Sequence, residues 1–122
     1  MAKSSSLKKS GEEGSNNQDQ KLLQPSTTVS FADVAHQTLI FNSNDPASKL
    51  VLELLDTRWM QRLRDVRQTG NTQLLYMYTE HSRFGHGLGV AYLAIKLMNH
   101  LATTSPEEIE PYKLAVAGAA LL

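Results

Sequence analysis

The feature that most constrains the fold is the spacing of apolar residues after position 47, which follows the period of an amphipathic helix. The first helical segment places Leu50, Val51, Leu54 and Leu55 on one face. The Asp56-Thr57 pair then offers an N-cap for a second helix, whose apolar face is made by Trp59, Met60, Leu63 and Val66. This helix is expected to end near Gly70, because glycine suits a left-handed C-cap. A third helix after position 82 carries an apolar stripe of Leu88, Tyr92, Ile95 and Leu101. Because each apolar face must be buried against a neighbour, the sequence predicts an all-α bundle of short helices.

Residues 112–122 form a further, almost wholly apolar stretch that ends without a cap or a closing charge. A terminal carboxylate there would lie against the hydrophobic face of its own helix. We therefore expect the chain to be truncated inside its last helix. The apolar residues from Val116 to the end predict self-association of the isolated chain.

The segment before the helices has a different composition. A β-branched and aromatic run ends at Phe41 and precedes a cluster of turn formers, which predicts a short strand or β arm near residues 29–41. Residues 1–25 are polar and contain too few apolar side chains to offset the entropy of ordering them. The expected organisation is a disordered polar tail over 1–25 and one helical domain over 26–122.

Charge and cysteine content exclude several functional classes. The 12 basic and 12 acidic side chains balance to zero, so there is no strong signal for nucleic-acid binding or for an anionic membrane surface. No apolar run is long enough to cross a bilayer. The absence of cysteine excludes disulfides and thiolate metal sites. Nothing in the sequence requires an oxidising compartment, and we expect a cytoplasmic location.

The segment that carries chemistry is residues 79–90. Arg83 and His86 are three residues apart, so on one helix they share a face. A guanidinium group suits phosphate oxygens and a neutral imidazole suits a metal ion, so the pair would place a phosphate beside a metal. Gly85, Gly87 and Gly89 alternate here, and each weakens a helix by about 1 kcal/mol relative to alanine, which predicts a close approach of backbone or ligand. By spacing alone, an ordinary surface arginine and histidine fit equally well.

Three stretches together resemble a known family: LDTRWMQRLR at 55–64, RQTG at 67–70, and HSRFGHGLGVAYLA at 81–94. In this order and spacing they are similar to the opening motifs of HD-domain phosphohydrolases of the deoxynucleoside triphosphate triphosphohydrolase type. The final AALL at 119–122 resembles the residues that immediately precede the family's HD pair. A weaker likeness to the family's DPxHG motif occurs at 33–37. The resemblance implies an HD-domain-like helical bundle, hydrolysis that releases triphosphate from dNTPs, and a homo-oligomer.

The resemblance also implies roles for four residues. His86 matches the first ligand of the family's H…HD…D metal site, and Arg83 matches an arginine close to the substrate phosphates. Gln68 matches a glutamine near the sugar. His81 matches a histidine that lies near the phosphates or helps catalysis. The implied cofactor is a divalent metal ion, with Mn, Mg, Fe, Zn and Ni not distinguished.

The chain also departs from the family pattern. Gly85 stands where the family has Glu, Gly87 where it has Ser, and Thr69 where it has Leu beside the sugar glutamine. No aspartate follows His86, so the HD pair and the last aspartate are absent and the chain as given is expected to be inactive. Two alternatives stay open: another HD-type nucleotide phosphohydrolase or phosphodiesterase, and a non-catalytic helical interaction module.

Overall fold

A computed structural model describes residues 27–122, so the predicted polar tail lies outside the described residues. The chain is mostly helical with a short antiparallel hairpin, as the sequence predicts. Two 3₁₀ helices, Arg62–Asp65 and Gly70–Leu74, connect the second and third α-helices. The strands and α-helices, in chain order, are β1 Thr28–Asp33, β2 Gln37–Asn42, α1 Pro46–Leu55, α2 Arg58–Gln61, α3 Arg83–Ala102 and α4 Pro106–Leu121.

The β1–β2 hairpin confirms the predicted β arm. Its register runs from Thr28 opposite Asn42 to Asp33 opposite Gln37. Alternate residues of β2 face the helices, and Leu39 and Phe41 are buried there. The turn is closed by Gln37, whose φ of 64° lies in the left-handed region. The hairpin thus covers one side of the helices and holds its turn, residues 33–37, beside α3.

Side-chain caps fix where three helices begin. Asp45 caps α1 by accepting from the backbone N–H of Ser48 at 3.0 Å. Thr57 caps α2 by accepting from the N–H of Met60, which confirms the predicted second cap. Ser82 caps α3 by accepting from the N–H of Gly85 at 3.2 Å. Each cap satisfies a helix N–H that has no partner within its own helix.

The second helix differs from its prediction. It ends at Gln61, continues as a 3₁₀ turn to Asp65, and leaves Trp59 exposed rather than on a buried face. The reason is a tertiary contact: Arg67 forms an antiparallel bridge with Ser82, which requires extended backbone where the helix was expected to continue. Gly70 does adopt a left-handed φ of 55°, but it opens the second 3₁₀ helix instead of closing α2.

The core lies between the hairpin and the four helices. α3 packs along α4, α1 packs on α4, and β2 contacts both α1 and α3. The buried residues form one cluster, which includes Leu39, Phe41, Val51, Leu55, Met60, Phe84, Leu88, Ile95 and Leu121. Among residues 27–122, no helix is both long enough and apolar enough to cross a membrane.

Candidate functional site

The start of α3 holds two of the predicted site residues. Arg83 is the first residue of the helix and His86 lies one turn further on; both are exposed. The N–H of Arg83 donates to the carbonyl of Val66 at 2.8 Å, and the N–H of His86 donates to the carbonyl of Ser82 at 3.1 Å. The bridge to the 66–68 segment therefore fixes this helix start against the rest of the chain.

A cavity of about 960 Å³ opens beside the first turns of α3. His81 and His86 both line it, with their ring centroids 6.3 Å apart. Gly85 and Gly89 contribute backbone to the same wall, and an added Cβ at either position would meet only ordinary van der Waals contacts. Two of the four predicted site residues thus share one cavity.

The other two predicted residues lie differently. Arg83 and Gln68 do not line this cavity. The backbone N–H of Gln68 donates to the carbonyl of His81 at 3.1 Å, so its main chain is tied to the site while its half-buried side chain lies off the cavity wall. The roles of all four residues stay predictions.

The described residues do not complete a metal site. Within residues 27–122, no group of three or more His, Cys, Asp or Glu side chains could hold a metal ion together. His86 and His81 supply two imidazoles at most, whereas protein metal sites usually need three or more ligands. The divalent metal that the resemblance implies therefore does not fit the described residues alone.

Sequence reasoning gave no role to the hairpin turn, which forms the facing wall of the cavity. The carboxylate of Asp33 accepts from the backbone N–H of His36 at 2.9 Å and from its Nδ1 at 2.8 Å. The hydrogen bond from the His36 side chain holds the pKa of Asp33 below its ordinary value of 3.8. The ring edge of His36 also packs on Tyr92 of α3. The Asp-x-x-His spacing in a turn was the signal available in the sequence.

A further cavity residue, Gln73, carried no sequence signal. It lies in the 3₁₀ helix Gly70–Leu74, where no apolar period marks which side chains point inward. Its Oε1 atom is buried and has no hydrogen-bond partner in the described part of the chain. Since buried acceptors are normally paired, this atom marks an unfilled hydrogen-bonding position on the cavity wall.

The comparisons with known proteins lead to the same family as the sequence motifs. No family model matches the chain. The chain is 40% identical over 57 residues to the deoxynucleoside triphosphate triphosphohydrolase SAMHD1 homolog of Dictyostelium discoideum, covering 47% of this chain and 11% of that protein. It is 43% identical over 58 residues to deoxynucleoside triphosphate triphosphohydrolase SAMHD1 of Danio rerio, covering 48% and 9%. It is 38% identical over 74 residues to the uncharacterized protein YwfO of Bacillus subtilis, covering 61% and 17%.

These matches are partial on both sides. The chain spans only 9% to 17% of the length of the three relatives. Over about half of its own length, the chain is similar to deoxynucleoside triphosphate triphosphohydrolases, and its motifs resemble the N-terminal portion of that HD-domain family.

Proposed function

We propose that this chain provides part of the substrate site of a metal-dependent phosphohydrolase that releases triphosphate from deoxynucleoside triphosphates. The observation that supports the proposal most is that His81 and His86, both taken from the family motif, line one cavity at the capped start of α3. The names of the similar proteins from Dictyostelium discoideum and Danio rerio state the same activity for those proteins.

In this proposal Arg83 contacts the substrate phosphates. Its guanidinium is exposed at the first residue of a long helix, where the free N–H groups and the helix dipole also favour an anion. Arginine can hold phosphate oxygens through two parallel hydrogen bonds. Gln68 is proposed to lie near the sugar and His81 near the phosphates.

His86 is proposed as one ligand of a divalent metal ion. A neutral imidazole is a common metal ligand, and His86 is exposed and therefore accessible. Because the described residues supply fewer ligands than a usual site, we assign no catalytic step to a metal. A homo-oligomeric assembly and a cytoplasmic location also stay predictions.

The phosphate role of Arg83 can be tested by binding, without requiring turnover. We expect Arg83→Ala to raise the Kd for inorganic tripolyphosphate about 5- to 20-fold at low ionic strength, since charge-assisted hydrogen bonds are lost. The measurement is isothermal titration calorimetry on the full chain.

A matched control is available for this test. Arg58 is likewise an exposed arginine at the first residue of a helix, α2, and it lies off the cavity wall. Arg58→Ala should leave the Kd within about twofold of the unmodified chain. Equal weakening by the two substitutions would mean that tripolyphosphate binds through general charge, and the proposed role of Arg83 would be rejected.

One observation favours a second candidate function, a non-catalytic interaction module. Residues 74–78 are five consecutive apolar side chains that are each 63% to 95% exposed. Exposed apolar patches often mark contacts with other proteins. This candidate predicts concentration-dependent association of the chain in sedimentation experiments together with no measurable tripolyphosphate binding, whereas the phosphohydrolase proposal requires the binding.

A further inference from the structure

The charges around the cavity do not suit a polyphosphate. Two acidic residues, Asp33 and Glu80, line its wall, and no lysine or arginine does. Asp33 keeps its negative charge, because the hydrogen bond from His36 lowers the pKa of its carboxyl group. A triphosphate placed inside would therefore be repelled. Arg83, the proposed phosphate contact, lies off the wall of this cavity.

The polar atoms of the cavity wall are instead arranged to accept hydrogen bonds. Asp33 is a carboxylate and can only accept, so Nδ1 of His36 carries the proton that the two residues share. The Nε2 atom of a neutral His36 is then an acceptor. Gln73 adds a second acceptor, its buried and unpartnered Oε1. The cavity therefore presents two acceptors that need N–H or O–H donors.

The rest of the wall is largely apolar. Val34 comes from the hairpin turn, Met77 and Tyr78 from the segment before α3, and Val90 and Leu93 from α3 itself. A flat ring with apolar faces and N–H groups at its edge matches this combination of surfaces. A nucleobase has both properties, and it is neutral.

The position along α3 relates this surface to the proposed phosphate site. The ring of His36 lies over Gly89, where an added Cβ would stand 3.9 Å from its Cε1 atom. Gly89 follows His86 by three residues, which is about 4.5 Å along a helix. A base held by His36 would thus lie about one helical turn from the proposed metal ligand, a separation that one nucleotide can span.

We propose that this cavity binds the nucleobase of the substrate, with Gln73 and His36 accepting hydrogen bonds from its N–H groups. The inference rests on the proposed function, since it assigns the other end of the same nucleotide. It carries a specificity: adenine, cytosine and guanine have an exocyclic amino group that offers two N–H donors, whereas thymine offers a single ring N–H. Bases with an amino group are therefore preferred over thymine.

The test uses nucleosides, which have a base but no phosphate. The full chain is titrated with deoxyadenosine and with thymidine while backbone amide resonances are followed by NMR. Deoxyadenosine is expected to shift the amides of Gly85 and Gly89 and to bind about 3- to 10-fold more tightly than thymidine. Gln73→Met and His36→Phe, which keep side-chain size but remove the acceptors, should each raise its Kd about 3- to 10-fold.

The controls separate folding, binding and the underlying function. His100→Phe makes the same chemical change at an exposed site near the end of α3 and should leave the Kd unchanged. If His36→Phe disturbs the turn, as thermal unfolding would show, Gln73→Met alone decides. Unchanged affinity in Gln73→Met, or no deoxyadenosine binding at all, overturns the nucleobase assignment. The tripolyphosphate titration with Arg83→Ala is independent of the base, so the proposed function stands or fails separately.

Discussion

Replacing Asp45 with alanine is expected to lower the free energy of unfolding by about 2–4 kcal/mol. One carboxylate makes three contacts here. It accepts from the backbone N–H of Ser48 at 3.0 Å and from the hydroxyl of Ser48 at 2.8 Å, and it pairs with Lys113 of α4 at 3.1 Å. Ser48 is buried, so alanine would leave its hydroxyl without this partner inside the protein. The substitution also removes the link between the start of α1 and α4.

Urea unfolding followed by circular dichroism measures this loss, and Asp45→Asn is the matched control. Asparagine is a good N-cap and still accepts from the N–H of Ser48, but it has no charge to pair with Lys113. Its loss should therefore be smaller than that of alanine by about 1 kcal/mol or more. If the alanine variant unfolds within about 0.5 kcal/mol of the unmodified chain, the cap and the ion pair do not stabilise the fold as argued.

Acid provides a second measurement of the same contact. Burial raises the pKa of Asp45, but the hydrogen bonds from Ser48 and the charge of Lys113 outweigh burial and hold the pKa below its ordinary value of 3.8. The folded chain therefore binds fewer protons at this group than the unfolded chain does. Its stabilising effect is complete above pH 3.8 and is lost as the pH falls through the lower folded pKa. Asp33, also lowered, is present in both chains, so the stability difference between the unmodified chain and Asp45→Asn should shrink only in that acidic range.

The parts of the fold that could be predicted are those set by local sequence. The apolar period predicted α1 and α3, and the Asp56-Thr57 pair predicted where α2 begins, because caps and amphipathic faces are properties of a few neighbouring residues. The end of α2 was not predictable in this way. It depends on the bridge between Arg67 and Ser82, which are far apart in sequence.

The candidate site divides along the same line. Arg83 and His86 were expected on one helix, and the structure places both at the start of α3. The contribution of His36 could not be anticipated, since it requires the hairpin turn to pack over Gly89. Gln73 lies in a short 3₁₀ segment without an apolar period, so its direction depends entirely on tertiary packing.

The alternating glycines of α3 lead to the second large expected effect, in Gly87→Ala. A Cβ at position 87 would lie 2.9 Å from the carbonyl oxygen of Leu121 in α4. The obstacle is backbone, so no side-chain rotation relieves it. Fraying the end of α4 would relieve it, but this would expose Leu121, which is only 2% exposed, and burying a leucine contributes about 1.5–3 kcal/mol. Overpacking of this kind costs about 1–3 kcal/mol, and alanine recovers up to about 1 kcal/mol in helix propensity. We expect a net loss of about 1–2 kcal/mol.

Gly85→Ala is the comparison that isolates this clash. The same helix receives the same methyl group two residues earlier, where the nearest atom is the Ser82 hydroxyl at 3.7 Å, an ordinary contact. That variant should gain stability by up to about 1 kcal/mol from helix propensity alone. The two unfolding free energies, measured by urea denaturation, should therefore differ by about 2–3 kcal/mol with opposite signs relative to the unmodified chain. Two variants of equal stability would mean that α3 and α4 do not approach as closely at Gly87 as the structure has them. The glycine would then be tied to a ligand rather than to helix packing.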